Sequence, residues 1–93
     1  MTMMVKDPDS RIDFEFDWAA AYPGGQAVTA SVWTVVPDEA GGVAVAAAAY
    51  DLRQATVTLA GGVAGRVYRV TNRVTLSDGQ IDERSMTVRV EDR

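Results

Sequence analysis

The chain has 93 residues, a formal net charge of -4, no cysteine and no histidine. That length predicts one domain with a single core. The missing cysteines exclude disulfides and thiolate metal sites, and the missing histidines exclude Ser-His-Asp triads, histidine-ligated metals and imidazole acid–base catalysis. No secretory signal or membrane span is expected, because the start has no basic-then-apolar pattern and the longest apolar run, residues 43–49, is too short.

Charge is unevenly distributed along the chain. Residues 1–51 hold eight acids and two bases, whereas residues 52–93 hold five acids and seven bases. Eight of the nine bases are arginine, whose planar guanidinium suits defined ion pairs at interfaces, although a GC-rich genome favours the same composition. We expect no nucleic-acid partner, because the chain is acidic overall and no aromatic side chains interleave on the same face with the possible basic stripe of Arg66, Arg69, Arg73 and Arg89.

The first half of the chain predicts strands joined by turns. Residues 1–10 form an irregular arm or an edge strand, with a turn at Pro8. Residues 11–18 alternate, which predicts a strand with one core face and one wet face. Its inward side chains are Ile12, Phe14, Phe16 and Trp18, and its outward ones are Asp13, Glu15 and Asp17. After a turn at residues 22–25, a strand over 27–36 shifts its alternation between Val32 and Trp33, so either both faces are covered or a β-bulge resets the register.

The second half contains one ambiguous segment. The alanines of residues 43–50 favour a helix, but the short length and the neighbouring strands favour a strand. Clear strands are predicted over residues 54–60, 66–76 and 83–91. We therefore predict an all-β chain forming an immunoglobulin-like antiparallel β-sandwich of about seven strands. Residues 11–93 make its single domain, and residues 1–10 precede it as the arm or edge strand.

Residues 59–77 are the most informative stretch. A leucine, a turn at Gly61 and Gly62, and Gly65 three positions before Tyr68 are typical of a tyrosine corner in an immunoglobulin-like sandwich. The inward side of the following strand then begins with Tyr68 and Val70. The predicted structural core consists of Phe14, Phe16, Trp33, Tyr68, Val70, Met86 and Val88.

Parity, meaning which face the even-numbered and the odd-numbered residues of a strand occupy, determines how the last two strands pair. A two-residue turn at Asp78 and Gly79 would pair even-numbered positions with odd-numbered ones, for example Val70 with Thr87, so the apolar residues of the two strands would not share one face. A three-residue loop, Ser77-Asp78-Gly79, keeps the faces consistent, with glycine supplying the left-handed conformation. This register sets Val70 opposite Met86, Tyr68 opposite Val88 and, on the outer face, Arg73 opposite Glu83.

No catalytic, cofactor or metal site is predicted. The row of Asp13, Glu15 and Asp17 has neighbours about 6.6 Å apart, which serves one calcium ion poorly. The glycines at 61–65 lack the Lys-Ser/Thr of a phosphate loop.

The last hairpin is the candidate partner interface, and we expect its tip to project beyond the core, although any hairpin end becomes polar where it meets water. The candidate residues are Arg69, Arg73, Asp78, Gly79, Asp82, Glu83 and Arg84.

Three stretches, KDPDSRIDFEFDW, SVWTV and GRVYRVTNRVTLSDGQIDERSMTVRV, resemble a family of small tailed-phage virion proteins described as fibre-tail adaptor or head-decoration-like proteins. The sharpest likeness runs from Tyr68 to Asn72 and continues through Arg73, Asp78-Gly79, Asp82, Arg84 and Ser85, whereas residues 37–54 offer no match. The resemblance implies a non-enzymatic structural protein in many copies, acting as an adaptor between tail and fibres or as a head decoration or cement protein.

The same resemblance implies where the protein is found and what it contacts. It implies a location in the virion after assembly in the host cytoplasm. The implied partners are tail, fibre, connector or major capsid proteins, together with further copies of the chain. The alternative is a carbohydrate- or cell-surface-binding module that uses Trp18, Trp33 or Tyr22 as an exposed platform, which buried rings would contradict.

Overall fold

The computed structural model describes residues 2–92, and the structural statements below concern that part of the chain. Its elements, in chain order, are β1 (Thr2–Lys6), β2 (Ile12–Asp17), α1 (Trp18–Ala21), β3 (Val28–Val36), β4 (Ala44–Tyr50), β5 (Gln54–Ala60), β6 (Val67–Leu76) and β7 (Ile81–Val90). They form a four-stranded sheet in the order β1-β7-β6-β3 and a three-stranded sheet in the order β2-β5-β4. This arrangement confirms the predicted all-β sandwich.

Two details of the first strands differ from the prediction. β1 runs parallel to β7, with Met4 opposite Val88, so the sandwich is not wholly antiparallel. Trp18 does not end a strand but begins a four-residue helical turn. Asp17 caps that turn, because its Oδ1 accepts a hydrogen bond from the Ala20 N–H at 3.3 Å. The alternation alone could not distinguish the end of a strand from the start of a helical turn at Trp18, since the side chain faces the core in both conformations.

A β-bulge resets the register of β3. Val28 lies opposite Leu76 and Ala30 lies opposite Thr75, so Thr29 is the extra residue. The inward side of the strand changes from even to odd positions there: Val28 is buried, and Trp33 packs against the core farther along. A bulge is therefore the correct one of the two alternatives, but it lies at Thr29 and not between Val32 and Trp33, so Ala30 and Val32 face outward.

The β6–β7 hairpin has the register that parity predicts. Val70 lies opposite Met86, Tyr68 opposite Val88 and Arg73 opposite Glu83. The Leu76 N–H donates to the Gln80 carbonyl at 2.8 Å, which closes a three-residue loop. Gly79 supplies the left-handed conformation, with φ at +88°.

The turn before β6 is the predicted tyrosine corner. The Tyr68 hydroxyl accepts a hydrogen bond from the Val63 N–H at 3.1 Å and donates one to Glu39 Oε1 at 2.7 Å. Burial, together with the hydrogen bond to Glu39, raises the pKa of this hydroxyl. Gly62 is required here, because its φ is +120° and a Cβ would lie 2.7 Å from a methyl of Val90.

The core lies between the two sheets. Of the predicted core residues, Phe16, Tyr68, Val70, Met86 and Val88 are buried, while Phe14 and Trp33 are half-buried and pack against them. The other buried apolar residues are Trp18, Val28, Val43, Ala55, Val57, Leu59, Val74, Leu76 and Val90. Each fully buried valine or leucine side chain stabilises the fold by about 1.5–3 kcal/mol relative to exposure.

The end of β1 is held by the buried side chain of Lys6. Its ammonium donates to three backbone carbonyls, those of Asp7 at 2.9 Å, Ser10 at 2.6 Å and Gly61 at 2.6 Å. Burial lowers the pKa of Lys6, while the nearby carboxylates of Asp7 and Asp9 oppose that shift. These bonds tie the turn after β1 to the tyrosine corner, and β1 itself is an edge strand of the four-stranded sheet.

Candidate docking surface

The described residues offer little for metal chemistry. Within residues 2–92, no group of three or more acidic side chains comes together in a way that could hold a metal ion. A membrane-spanning helix is likewise not found in that range, since no helix there is long and apolar enough.

The three aromatic side chains considered for sugar binding, Trp18, Trp33 and Tyr22, do not form an exposed platform. Trp18 is 1% exposed, and its Nε1 donates to Asn72 Oδ1 at 2.8 Å. Trp33 stacks on Phe16 with ring centroids 5.6 Å apart. The Tyr22 hydroxyl donates a hydrogen bond to Asp82. The rings proposed for sugar binding thus serve packing and internal hydrogen bonding.

The outer face of the four-stranded sheet has an unusual surface, which we call the arginine face. It comprises Met3 and Val5 of β1, the even residues 30–36 of β3, the odd residues 67–75 of β6 and the odd residues 81–89 of β7. Ten large hydrophobic side chains are exposed in the described residues, and six of them lie here. Those six are Met3, Val5, Val32, Val36, Val67 and Ile81. Apolar groups concentrated on one face of a small protein are typical of interaction surfaces.

Each of two arginines on this face has an exposed valine beside it. Arg69 lies opposite Val36, which is 63% exposed, and Arg73 lies opposite Val32, which is 57% exposed. Cross-strand neighbours of this kind contact each other directly. The surface therefore alternates guanidinium groups with valine methyls.

These two guanidinium groups have no acidic partner within the described residues. Arg73 lies opposite Glu83 as predicted, but the ion pairs within 4.0 Å in residues 2–92 are Arg66 with Glu39 at 3.9 Å and Arg89 with Glu91 at 3.0 Å. The predicted register is thus correct, although Arg73 and Glu83 lie opposite each other without an ion pair within 4.0 Å. Both side chains remain available to an external carboxylate.

The opposite side of the sandwich carries charge of the other sign. The charged residues on the strands of the three-stranded sheet are Asp13, Glu15 and Asp17, and all three are exposed. Asp13 accepts a hydrogen bond from the Thr58 hydroxyl at 2.7 Å. The molecule therefore presents a basic, partly apolar surface on one side and an acidic one on the other.

The structure separates the seven candidate interface residues into groups. Arg69, Arg73 and Glu83 lie together on the arginine face, whereas Asp78 and Gly79 lie at the exposed hairpin tip. Asp82 and Arg84 point to the other side of the sheet, where both have intramolecular contacts. Asp82 accepts a hydrogen bond from the Tyr22 hydroxyl. The Arg84 guanidinium lies 4.6 Å from the centre of the Trp18 ring.

The hairpin tip is supported by the loop after α1. The Ser77 N–H donates to the Ala27 carbonyl at 2.8 Å, and the Ala27 N–H donates to Ser77 Oγ at 3.0 Å. Val32 and Val36 were not among the residues predicted for this surface. The bulge in β3 would have revealed them, because it turns the even positions outward from that point.

A family model matches most of this chain. The model is described as Gp77, podophage GP4 fiber-tail adaptor protein gp77, and it matches residues 6–89. Comparison with curated proteins gives no match. The matched residues include the tyrosine corner and nearly all of both outer faces.

Proposed function

Because the chain belongs to the podophage GP4 fiber-tail adaptor family, gp77, we propose that it is a non-enzymatic structural protein of a tailed-phage virion, where it links tail and fibres. The family description supports this role over head decoration. We further propose that the chain joins the particle during assembly in the host cytoplasm. Its partners are then tail and fibre proteins, and several copies are present on each particle.

The arginine face carries this proposal. An adaptor needs surfaces that bind different partners, and the two outer faces of this sandwich differ in charge and in apolar content. Arginine is enriched at protein interfaces, because its guanidinium binds carboxylates in a defined geometry and its stem packs on apolar groups. The partner of the arginine face is therefore a protein surface with carboxylates set among apolar side chains.

Charge reversal on the arginine face tests this proposal. We expect the double variant Arg69→Glu and Arg73→Glu to lower the yield of fibre-bearing particles at least tenfold, because carboxylates of the partner would then meet carboxylates. The measurement is complementation of a phage that lacks the gene, with particles counted by electron microscopy. The fold should be retained, since exposed substitutions usually change stability by about 0.5 kcal/mol or less.

The matched control is the double variant Arg11→Glu and Arg53→Glu. It makes the same change in charge at two exposed arginines outside the arginine face. Normal particle yield is expected for the control. Equal yields from the two double variants would contradict the proposed site, and particles that contain none of this chain would contradict the adaptor role itself.

A further inference from the structure

β4 is an edge strand without the usual burial. It is the last strand of the three-stranded sheet, and β5 is its neighbour in that sheet. All seven of its residues are exposed, whereas the neighbouring β5 buries every second residue. Both faces of the β4 pleat are therefore largely uncovered in the isolated chain.

The composition of β4 also disagrees with its conformation. Five of its seven residues are alanine, which is depleted in strands and is the best helix former. The strand is held by its ladder to β5 and by the Tyr50 hydroxyl, which donates to the Thr29 carbonyl at 3.0 Å. A local conflict between sequence and structure is typical of a segment kept for function rather than for stability.

The edge that β4 exposes has only one of the usual protections against pairing. Natural sheets protect their edges with charges, prolines or bulges. The opposite edge strand of the same sheet, β2, carries Asp13, Glu15 and Asp17, but β4 has no charged residue and no proline, only a bulge between Val45 and Ala47. The backbone donors and acceptors along a free edge are best satisfied by another extended chain, so the geometry identifies the occupant as a strand.

A cavity beside the start of β4 indicates one side chain of that strand. Its volume is about 330 Å³, and its lining residues are Thr34, Val35, Asp38, Val43, Ala44 and Val45. Most of the wall is apolar, and Asp38 supplies a single carboxylate. Such a cavity suits a lysine or arginine, whose apolar stem packs on the wall while its cation meets the acid.

Charge argues against a second copy of the chain as the occupant. Asp38 lies near the start of β4, and Asp51 follows its end. Antiparallel pairing of two β4 strands would bring the start of each beside the end of the other, so carboxylate would meet carboxylate. A donor with a basic residue at one end avoids this repulsion.

We propose that β4 accepts an extended segment of a tail or fibre protein, which adds to the three-stranded sheet as a fourth strand. The segment has small, uncharged residues and one lysine or arginine that enters the cavity next to Asp38. The identity of the donor as a virion protein rests on the proposed function. The acceptor edge is a different surface from the arginine face, so an adaptor would have two separate binding sites.

Hydrogen–deuterium exchange on the isolated chain and on purified particles tests this proposal. We expect the outward amides of β4 to exchange at least tenfold more slowly in particles, because each becomes bonded to the added strand. Asp38→Asn should reduce that protection, whereas Asp51→Asn should not. Equal exchange of β4 in the two states would overturn the proposal, and particles without the chain would instead overturn the proposed function.

A single introduced cysteine can identify the segment that binds to β4. The chain has no cysteine of its own, so Ala48→Cys, or Ala46→Cys if that variant does not assemble, gives one attachment point for a maleimide photo-crosslinker. We expect mass spectrometry of the particles to find the crosslink on an extended segment of a tail or fibre protein. A crosslink to β4 of another copy would overturn the assigned partner.

Discussion

At the scale of single residues, the Tyr68 hydroxyl stabilises the corner through two hydrogen bonds. Tyr68→Phe removes both and leaves the Val63 N–H without its acceptor. We expect a loss of about 1 kcal/mol or somewhat more in the free energy of unfolding, measured by urea denaturation. Tyr50→Phe is the control, because its hydroxyl bonds an exposed carbonyl at Thr29 and should cost less. An unchanged stability for Tyr68→Phe would show that the corner hydroxyl does not support the fold.

The same hydroxyl makes stability depend on alkaline pH. Burial and Glu39 raise the pKa of Tyr68 above the ordinary value of 10.0, so the folded state keeps the phenol neutral where the unfolded chain has lost its proton. This contribution is complete below that ordinary value and is lost as the pH rises through the folded pKa. The stability difference between the native chain and Tyr68→Phe should therefore shrink at alkaline pH, and a constant difference would contradict this.

Individual side-chain partners were less predictable than burial. Asn72 shares the even-numbered, inward side of β6 with Tyr68 and Val70, but its bond to Trp18 depends on a helical turn that the alternation did not reveal. Nothing in the sequence indicates that the Lys6 side chain is buried, because lysine rarely is. Its burial here depends on the Gly61 carbonyl, which lies 55 positions away in sequence.

At the scale of elements, the β6–β7 turn depends on the left-handed conformation of Gly79. Its φ is +88°, which costs an ordinary L-residue about 1–2 kcal/mol. We expect Gly79→Ala to lower stability by about that amount in thermal or urea denaturation. Gly79→Asn should cost less, because asparagine tolerates this conformation. Equal stability of native and Gly79→Ala chains would mean that the loop can adopt another turn.

An element could be predicted where its own sequence had a clear alternation or turn pattern, and could not be predicted where it had none. The β6–β7 register was predictable because alternation and a glycine loop leave one consistent pairing. The conformation of residues 43–50 was not, since five alanines favour a helix and no burial pattern corrects that preference. The pairing that holds it as β4 comes from β5, and alternation within a segment does not report on such neighbours.

At the scale of the whole molecule, the sandwich class was predictable and the strand order was not. Alternating segments separated by turns predict stacked sheets. The parallel pairing of β1 with β7 joins the two ends of the chain, and no local pattern encodes it. The arginines of the docking surface were found from alternation within one strand, whereas Val32 and Val36 required both the position of the bulge, which turns them outward, and the pairing of β3 with β6, which sets them beside those arginines.

The opposite charges of the two outer faces should affect the isolated protein. We expect weak head-to-tail attraction between copies at low salt, seen as concentration-dependent sedimentation. Physiological salt should abolish it, because exposed charges are screened beyond about 8 Å. The Arg69→Glu and Arg73→Glu variant should show no attraction at either salt concentration. Attraction that persists in this variant would mean that the two faces do not cause it.

The burial of Lys6 limits the reagents that can report on this protein. Lys6 is the only lysine in the sequence, and it is 1% exposed. Its ammonium is enclosed by three carbonyls, so amine-reactive esters find no accessible side-chain amine on the folded chain. Lysine-directed crosslinking of whole particles would therefore miss its side chains even where they form close contacts. Carboxylate-directed or photoactivated reagents are needed to map its neighbours.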